Sequence, residues 1–204
     1  MINDFFKPLN WFREKYIGKI SDRYYTFKVA LNLFIQRRGE VIVETGCMRE
    51  PDDWGAGAST LIFGETLSKY GGRLYTIDNN GQHLERAKQY TKNYVGNISY
   101  ILGDSVAELT RFDRRIDLLY LDSLDFPLPQ DFTEPDDYKK QIILAQEHNF
   151  KEIQAAWNKL HRDSIILLDD YDFPEDGKPK QTIKFLQEHG WKVVLEGQQI
   201  LLIT

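Results

Sequence analysis

Cysteine is almost absent, with Cys47 the single one in 204 residues. A lone thiol cannot form an internal disulfide and cannot build a cysteine-based zinc cluster. Long apolar runs are missing as well, and none approaches the roughly 18–20 residues that span a bilayer. The opening Met-Ile-Asn-Asp-Phe-Phe-Lys carries an early acid and lacks the basic-then-apolar pattern of a secretory signal. These absences predict a cytoplasmic protein with no membrane partner. Cationic blocks are also lacking. Lys and Arg total 26 against 31 Asp and Glu, and a net charge of −5 speaks against a phosphate-backbone partner, so no nucleic acid is expected. No internal repeat or low-complexity tract is visible.

What is present suits one soluble domain. Hydrophobic residues at 42% and charged residues at 28% can close a full core over a solvated surface. Short β-branched runs alternate with longer amphipathic segments. Strands are predicted over 41–46, 73–78, 98–103, 116–122 and 164–169, with helices over 59–70, 83–95, 105–112, a long stretch ending at Leu160, and 181–189. The last two runs, 191–195 and 199–203, flank Glu196-Gly-Gln and read as a terminal hairpin. Repeated strand–helix units imply an α/β, Rossmann-like, doubly wound sheet of seven mostly parallel strands. Right-handed crossovers then put every strand end on one edge, where ligands bind.

Two segments stand apart. Residues 1–36 form an aromatic-rich helical arm ahead of the domain at 37–204, expected to pack on the sheet or on a partner subunit, which makes a homodimer possible. Residues 126–138 hold three prolines among several acids and read as an irregular loop beside the fourth strand's end, a candidate for substrate recognition.

The strand ends carry the chemistry. The first closes in Glu44-Thr-Gly46-Cys47, and Gly55-Ala-Gly57-Ala-Ser59 opens the next helix. Glycines there let the backbone turn tightly and approach a ligand, and the helix start offers free N–H groups. Asp78-Asn79 ends the second strand, where a carboxylate can accept both hydroxyls of a ribose. Gly103-Asp104-Ser105 ends the third, within reach of an adenine amino group. Singly, each acid would read as a helix N-cap or a solvated loop residue. Cys47 lies beside the first turn with no partnered histidine, so packing at that turn is its expected role.

This pattern resembles the S-adenosylmethionine (SAM)-dependent methyltransferases with the Rossmann-like fold. The resemblance covers residues 40–204, and the eight residues Cys47–Trp54 make its first turn longer than usual. It implies that Glu44, Gly46, Cys47, Gly57, Ser59, Asp78, Asn79, Gly103, Asp104, Ser105 and Asp122 hold the cofactor.

Asp122 closes Leu-Leu-Tyr-Leu-Asp, and Asp169-Asp170 closes Ile-Ile-Leu-Leu-Asp-Asp. Acids on neighbouring strand ends raise one another's pKa unless a cation sits among them, and oxygen ligands suit Mg²⁺. The arrangement is similar to the metal-dependent O-methyltransferases of the catechol and caffeoyl-CoA type. The Asp-Asp form with Tyr171, and Glu147-His148-Asn-Phe-Lys-Glu152 ahead of it, look more like the macrocin-type sugar enzymes. That resemblance implies Mg²⁺ on Asp122, Asp169 and Asp170, with Asp122 also the base. His148 is the second catalytic candidate, since an imidazole titrates near neutrality, although packing is the commoner role for a helical histidine. His83, His161 and His189 carry no special signal, and Trp54 and Tyr171 suit either a pocket wall or the core.

The expected reaction is methyl transfer from SAM to a hydroxyl oxygen of a small molecule. A nicotinamide-dependent oxidoreductase is the alternative enzyme class, disfavoured because the first turn is not G-x-G-x-x-G. A non-catalytic SAM-binding protein is the other.

Overall fold

In the computed structural model, which describes residues 9–51, 54 and 58–204, the strand–helix alternation closes into one seven-stranded sheet. Its strands are β1 (Val41–Thr45), β2 (Arg73–Asp78), β3 (Ile98–Leu102), β4 (Leu118–Leu121), β5 (Ile165–Leu168), β6 (Lys192–Glu196) and β7 (Ile200–Ile203). They lie in the order β3-β2-β1-β4-β5-β7-β6. β1 to β5 run parallel, and β7 pairs antiparallel with both β5 and β6. The expected mostly parallel sheet with a terminal hairpin is the one observed. The central strands β1, β4 and β5 are buried along their whole length, as strands covered on both faces must be.

Helices α1 (Asn10–Tyr16), α2 (Arg23–Gln36), α3 (Ser59–Tyr70) and α4 (Gly81–Tyr90) precede α5 (Ser105–Arg111), α6 (Pro135–Ala156) and α7 (Lys180–Glu188). Strand alternation sorts the core into two. Ile42, Leu118, Tyr120, Ile165 and Leu167 face a layer built from α1, α2 and α3. Val43, Leu119, Leu121, Ile166 and Leu168 face α5, α6 and α7 through Leu109, Ile153 and Leu186. The aromatic arm packs on this chain's own sheet: Tyr24, Phe27, Ala30, Leu31 and Phe34 form one buried stripe of α2 at helical spacing. That docking carries Arg23, in the first turn of α2, to the edge where β4 and β5 end.

Two boundaries differ from the sequence expectation. The helix expected over 83–95 starts at Gly81, capped by the Asn80 side chain, and stops at Tyr90, with a 3₁₀ segment over Lys92–Asn97. The irregular loop ends earlier than Tyr138. Pro135 opens α6 in its first turn, followed by Asp136 and Asp137, and acids are favoured at a helix N-terminus. No helix among the described residues is long and apolar enough to cross a membrane.

Candidate active site

A cavity of about 260 Å³ opens at the C-terminal edge of β1, β2, β3 and β4. Its lining includes Gly46 and Cys47 after β1, Asp78 and Asn79 after β2, Gly103, Asp104 and Ser105 after β3, and Asp122 and Ser123 after β4, with Ser59, His83 and His148 among the other residues of the wall. Most of the expected cofactor residues thus meet in one place. Gly55 and Gly57 lie outside the described residues.

The turn after β1 needs its glycine. Gly46 has φ +79°, and a Cβ there would stand 2.3 Å from the backbone oxygen of Asp122. Cys47 follows, and both its backbone N–H and its Sγ donate to Asp78 Oδ2, at 3.2 and 3.3 Å. Burial, and then the Asp78 and Glu44 charges, push the Cys47 thiol far above the usual range, so it is a buttress and no nucleophile. Asp78 Oδ1 accepts the backbone N–H of Asn80 at 2.8 Å, and His83 Nδ1 lies 3.4 Å away. These contacts fix the orientation of the Asp78 carboxylate, which lines the cavity. His83 gave no signal in the sequence because only the crossover from β2 into α4 brings it back over Asp78.

Asp104 is the N-cap of α5. It accepts the Ala107 N–H at 2.9 Å and still lines the cavity. Ser105 Oγ and His148 Nε2 are 3.1 Å apart. His148 Nε2 lies 3.6 Å from Glu152 Oε1, and Ser123 Oγ donates to that same Oε1 at 2.6 Å. A polar chain thus runs from the end of β3 through α6 to the end of β4. The adjacent Glu152 carboxylate, working against burial, raises the His148 pKa above its ordinary value.

Glu44 is placed differently from the expectation. It points to the α3 side of the sheet beneath the cavity floor and does not line it; neither of its oxygens has a hydrogen-bond partner among the described residues. Burial raises its pKa to about 7, only partly offset by the nearby hydroxyls of Thr60, Thr76 and Ser59. Its place is under the turn that follows β1. Trp54 packs against Tyr16 of α1, with Lys19 over its ring, and does not line the cavity. The 126–138 loop stays out of the wall too: Phe126 turns inward to Phe173, with ring centroids 5.3 Å apart.

The acids expected to hold Mg²⁺ form a different kind of site. Leu121 pairs with Leu168 across β4 and β5, so Asp122 and Asp169 come side by side on the face covered by α2. Arg23 Nε lies 3.0 Å from both Asp169 oxygens. Tyr120 Oη hydrogen-bonds Asp169 Oδ2 and lies 3.1 Å from Asp122 Oδ2, and Gln199 Nε2 donates to Tyr120 Oη at 3.1 Å. Lys178 Nζ bridges Asp122 Oδ1 at 3.1 Å and Asp170 Oδ2 at 3.0 Å. Two cations of this chain already sit among the three acids. Asp169 and Asp170 are buried and do not line the cavity, and the described residues contain no cluster of acids, histidines or cysteines arranged for a metal. With Arg23 and Lys178 paired to them, Asp122, Asp169 and Asp170, the residues expected to hold Mg²⁺, do not fit a divalent ion as placed here. Sequence reasoning foresaw a cation among these acids but had no means to find Arg23, which comes from the N-terminal arm, or Lys178, which comes from a loop.

The two carboxyls differ in proton affinity. Burial alone would raise Asp169, but the Arg23 and Lys178 charges and the Tyr120 hydrogen bond hold it below the usual range. For Asp122, burial and then the Asp169 charge outweigh Lys178 and hold it well above that range. Lys178 itself is pulled down by burial, yet the Asp122, Asp170 and Asp169 charges keep it protonated far above the ordinary lysine value.

Solved structures share this fold at low identity. CalS11, described as a TDP-rhamnose 3′-O-methyltransferase of calicheamicin biosynthesis, is 15% identical with a TM-score of 0.62, covering 97% of this chain and 87% of its own. An O-methyltransferase from Bacillus cereus in complex with S-adenosylhomocysteine is 14% identical with a TM-score of 0.57, covering 100% and 95%. The S-adenosylhomocysteine-bound methyltransferase PaMTH1 from Podospora anserina is 16% identical with a TM-score of 0.55, covering 99% and 86%. No curated protein matches the chain. The methyltransferase-domain family matches residues 54–171, more than half of the chain, and this protein belongs to that family.

Proposed function

We propose that the protein transfers a methyl group from SAM to a hydroxyl oxygen of a small molecule. The observation that carries this reading is the convergence of Gly46, Asp78, Gly103–Ser105 and Asp122 on one cavity at the sheet edge. The residues fit the cofactor. Gly46 leaves no Cβ in the turn, Asp78 presents a fixed carboxylate suited to ribose hydroxyls, and the small side chains of Gly103 and Ser105 leave room on the adenine side. When bound, SAM supplies an electrophilic methyl group.

The chain's own task is then to align the acceptor and to receive its proton. Asp122 is the group placed for this, because it lines the cavity and its carboxyl binds a proton more readily than an ordinary aspartate. Asp122 would take the hydroxyl proton as the methyl group leaves the sulfonium sulfur for the oxygen, S-adenosylhomocysteine being the leaving group, and would later release that proton to solvent. His148 supports a different role from the catalytic one expected. Its Nε2 faces Ser105 and Glu152, which suits it to holding the adenine side of the cavity together. The fold likeness to a TDP-rhamnose O-methyltransferase makes nucleotide-linked sugars the first acceptors to screen.

Calorimetric titration with S-adenosylhomocysteine tests the cofactor assignment. Saturable binding that Asp78→Ala weakens supports it, and absence of binding by the folded wild type defeats it.

A further inference from the structure

Lys178 is 1% exposed, which for lysine demands a specific set of partners. Its Nζ has four oxygens around it: Asp122 Oδ1 at 3.1 Å, Asp170 Oδ2 at 3.0 Å, the Ser123 carbonyl at 3.0 Å and the Leu124 carbonyl at 3.5 Å. An ammonium has three protons to donate, and the three nearest acceptors use them. Two carboxylates and backbone carbonyls are also the hard oxygen ligands that Mg²⁺ and Ca²⁺ select, but those ions hold oxygens at roughly 2.0–2.6 Å. Here the oxygens stand at hydrogen-bonding distance from nitrogen.

The segment after β5 is shaped to deliver this side chain. Gly177 has φ +63°, and a Cβ there would stand 2.0 Å from the Asp170 carbonyl, so the chain passes directly over Asp170. The Lys178 N–H then donates to that carbonyl at 3.0 Å. Gln146 of α6 reaches across and donates to the carbonyls of Glu175 at 3.1 Å and Gly177 at 3.0 Å. Asp170 adopts φ +55°, a left-handed conformation that costs a non-glycine residue about 1–2 kcal/mol. Charge points the same way. Three carboxylates face Arg23 and Lys178, and adding a divalent ion would leave the buried cluster with excess positive charge.

We infer that Lys178 is a built-in substitute for a divalent cation: its ammonium occupies the cation position between Asp122 and Asp170 and orients Asp122 toward the acceptor. Lys178 does not line the cavity, so it is a positioning residue that acts through Asp122. This deepens the methyltransferase reading and rests on it for the role of Asp122, though the occupancy of the cation position is tested separately.

The probe is Mn²⁺, followed by electron paramagnetic resonance and equilibrium dialysis on the full chain, with thermal unfolding measured alongside. Wild type is expected to bind no stoichiometric Mn²⁺, and its melting temperature is expected to ignore both Mn²⁺ and EDTA. Lys178→Ala leaves the oxygen cage without its cation. It is expected to melt lower, to acquire stoichiometric Mn²⁺ binding that Asp170→Asn abolishes, and to regain melting temperature as Mn²⁺ is added; Lys178→Arg is expected to stay blind to Mn²⁺. Stoichiometric Mn²⁺ on the wild type, lost in Asp170→Asn, overturns the inference, and so does a folded Lys178→Ala that neither loses stability nor gains Mn²⁺. If Lys178→Ala does not fold, the wild-type measurement and Lys178→Arg decide. S-adenosylhomocysteine calorimetry on the same wild-type sample reads the cofactor assignment independently, so failure of one is not mistaken for failure of the other.

Discussion

Arg23 and Asp169, 146 residues apart in the chain, form a buried ion pair in which Arg23 Nε lies 3.0 Å from both carboxylate oxygens. The pair ties the N-terminal arm to the end of β5, beside Asp122, the residue proposed to receive the acceptor's proton. Removing one member leaves the other charged and unpaired in the interior, which is far worse than never burying either. Arg23→Met is expected to lower unfolding free energy by about 3–5 kcal/mol, read from urea denaturation. Adding Asp169→Leu should recover part of that loss. A single variant as stable as wild type would show that the pair is not closed in solution.

Asp78, the residue proposed to hold the ribose, is fixed by hydrogen bonds from Cys47 and Asn80. Loss of a charge-assisted hydrogen bond costs about 1.5–3 kcal/mol, so Asp78→Ala should weaken S-adenosylhomocysteine binding by roughly 10- to 100-fold. Asp78→Asn should fall between the two. Equal affinity in all three proteins would remove Asp78 from the ribose site.

Glu44 predicts a pH dependence of stability. Its pKa is raised from 4.5 to about 7 by burial. Below about 4.5 the carboxyl is protonated in both folded and unfolded chains and contributes nothing to the balance. Between 4.5 and 7 the folded chain keeps a proton that the unfolded chain releases, so stability falls as pH rises, and above 7 the full penalty persists. At about 1.4 kcal/mol per unit, the penalty is on the order of 3 kcal/mol. Denaturation curves for Glu44→Gln across this range should lose that slope and show the largest gain over wild type above pH 7. A gain that is the same at pH 4 and pH 8 would contradict the assignment.

Gly46 and Gly71 separate two reasons for a glycine. Both have positive φ, at +79° and +89°, but only Gly46 has a neighbour, the Asp122 carbonyl, where a Cβ would go. Gly71→Ala should cost about 1–3 kcal/mol, because its φ of 89° with ψ of 170° is a conformation essentially reserved for glycine. Gly46→Ala should cost clearly more in thermal denaturation and should weaken S-adenosylhomocysteine binding, because it pushes apart the ends of β1 and β4. Equal costs at the two positions would mean that the close approach is relieved by a small shift.

Much of the architecture was legible in the chain. Buried strands such as Val41-Ile-Val and Ile165-Ile-Leu-Leu, punctuated by Gly46 and Gly71-Gly72, carry their periodicity within a few residues. The acids at 78, 104, 122 and 169 could be aligned because parallel crossovers return every strand end to the same edge. Helix boundaries were less legible. Pro135 resembles a loop residue and is also a favoured helix opener, and only the packing of α6 on the sheet distinguishes them.

Tertiary structure alone decided what neutralises the acids. Their positions on β4 and β5 follow from sequence spacing, but electrostatic pairing depends on distance in space, which spacing along the chain does not report. Arg23 arrives from the helical arm because one face of α2 is apolar and docks on the sheet. Lys178 arrives because Gly177 lets the loop fold over Asp170. The sequence by itself determined a methyltransferase-type sheet with carboxylates along its ligand-binding edge. Folding decided that Arg23 and Lys178, remote in the sequence, stand among them.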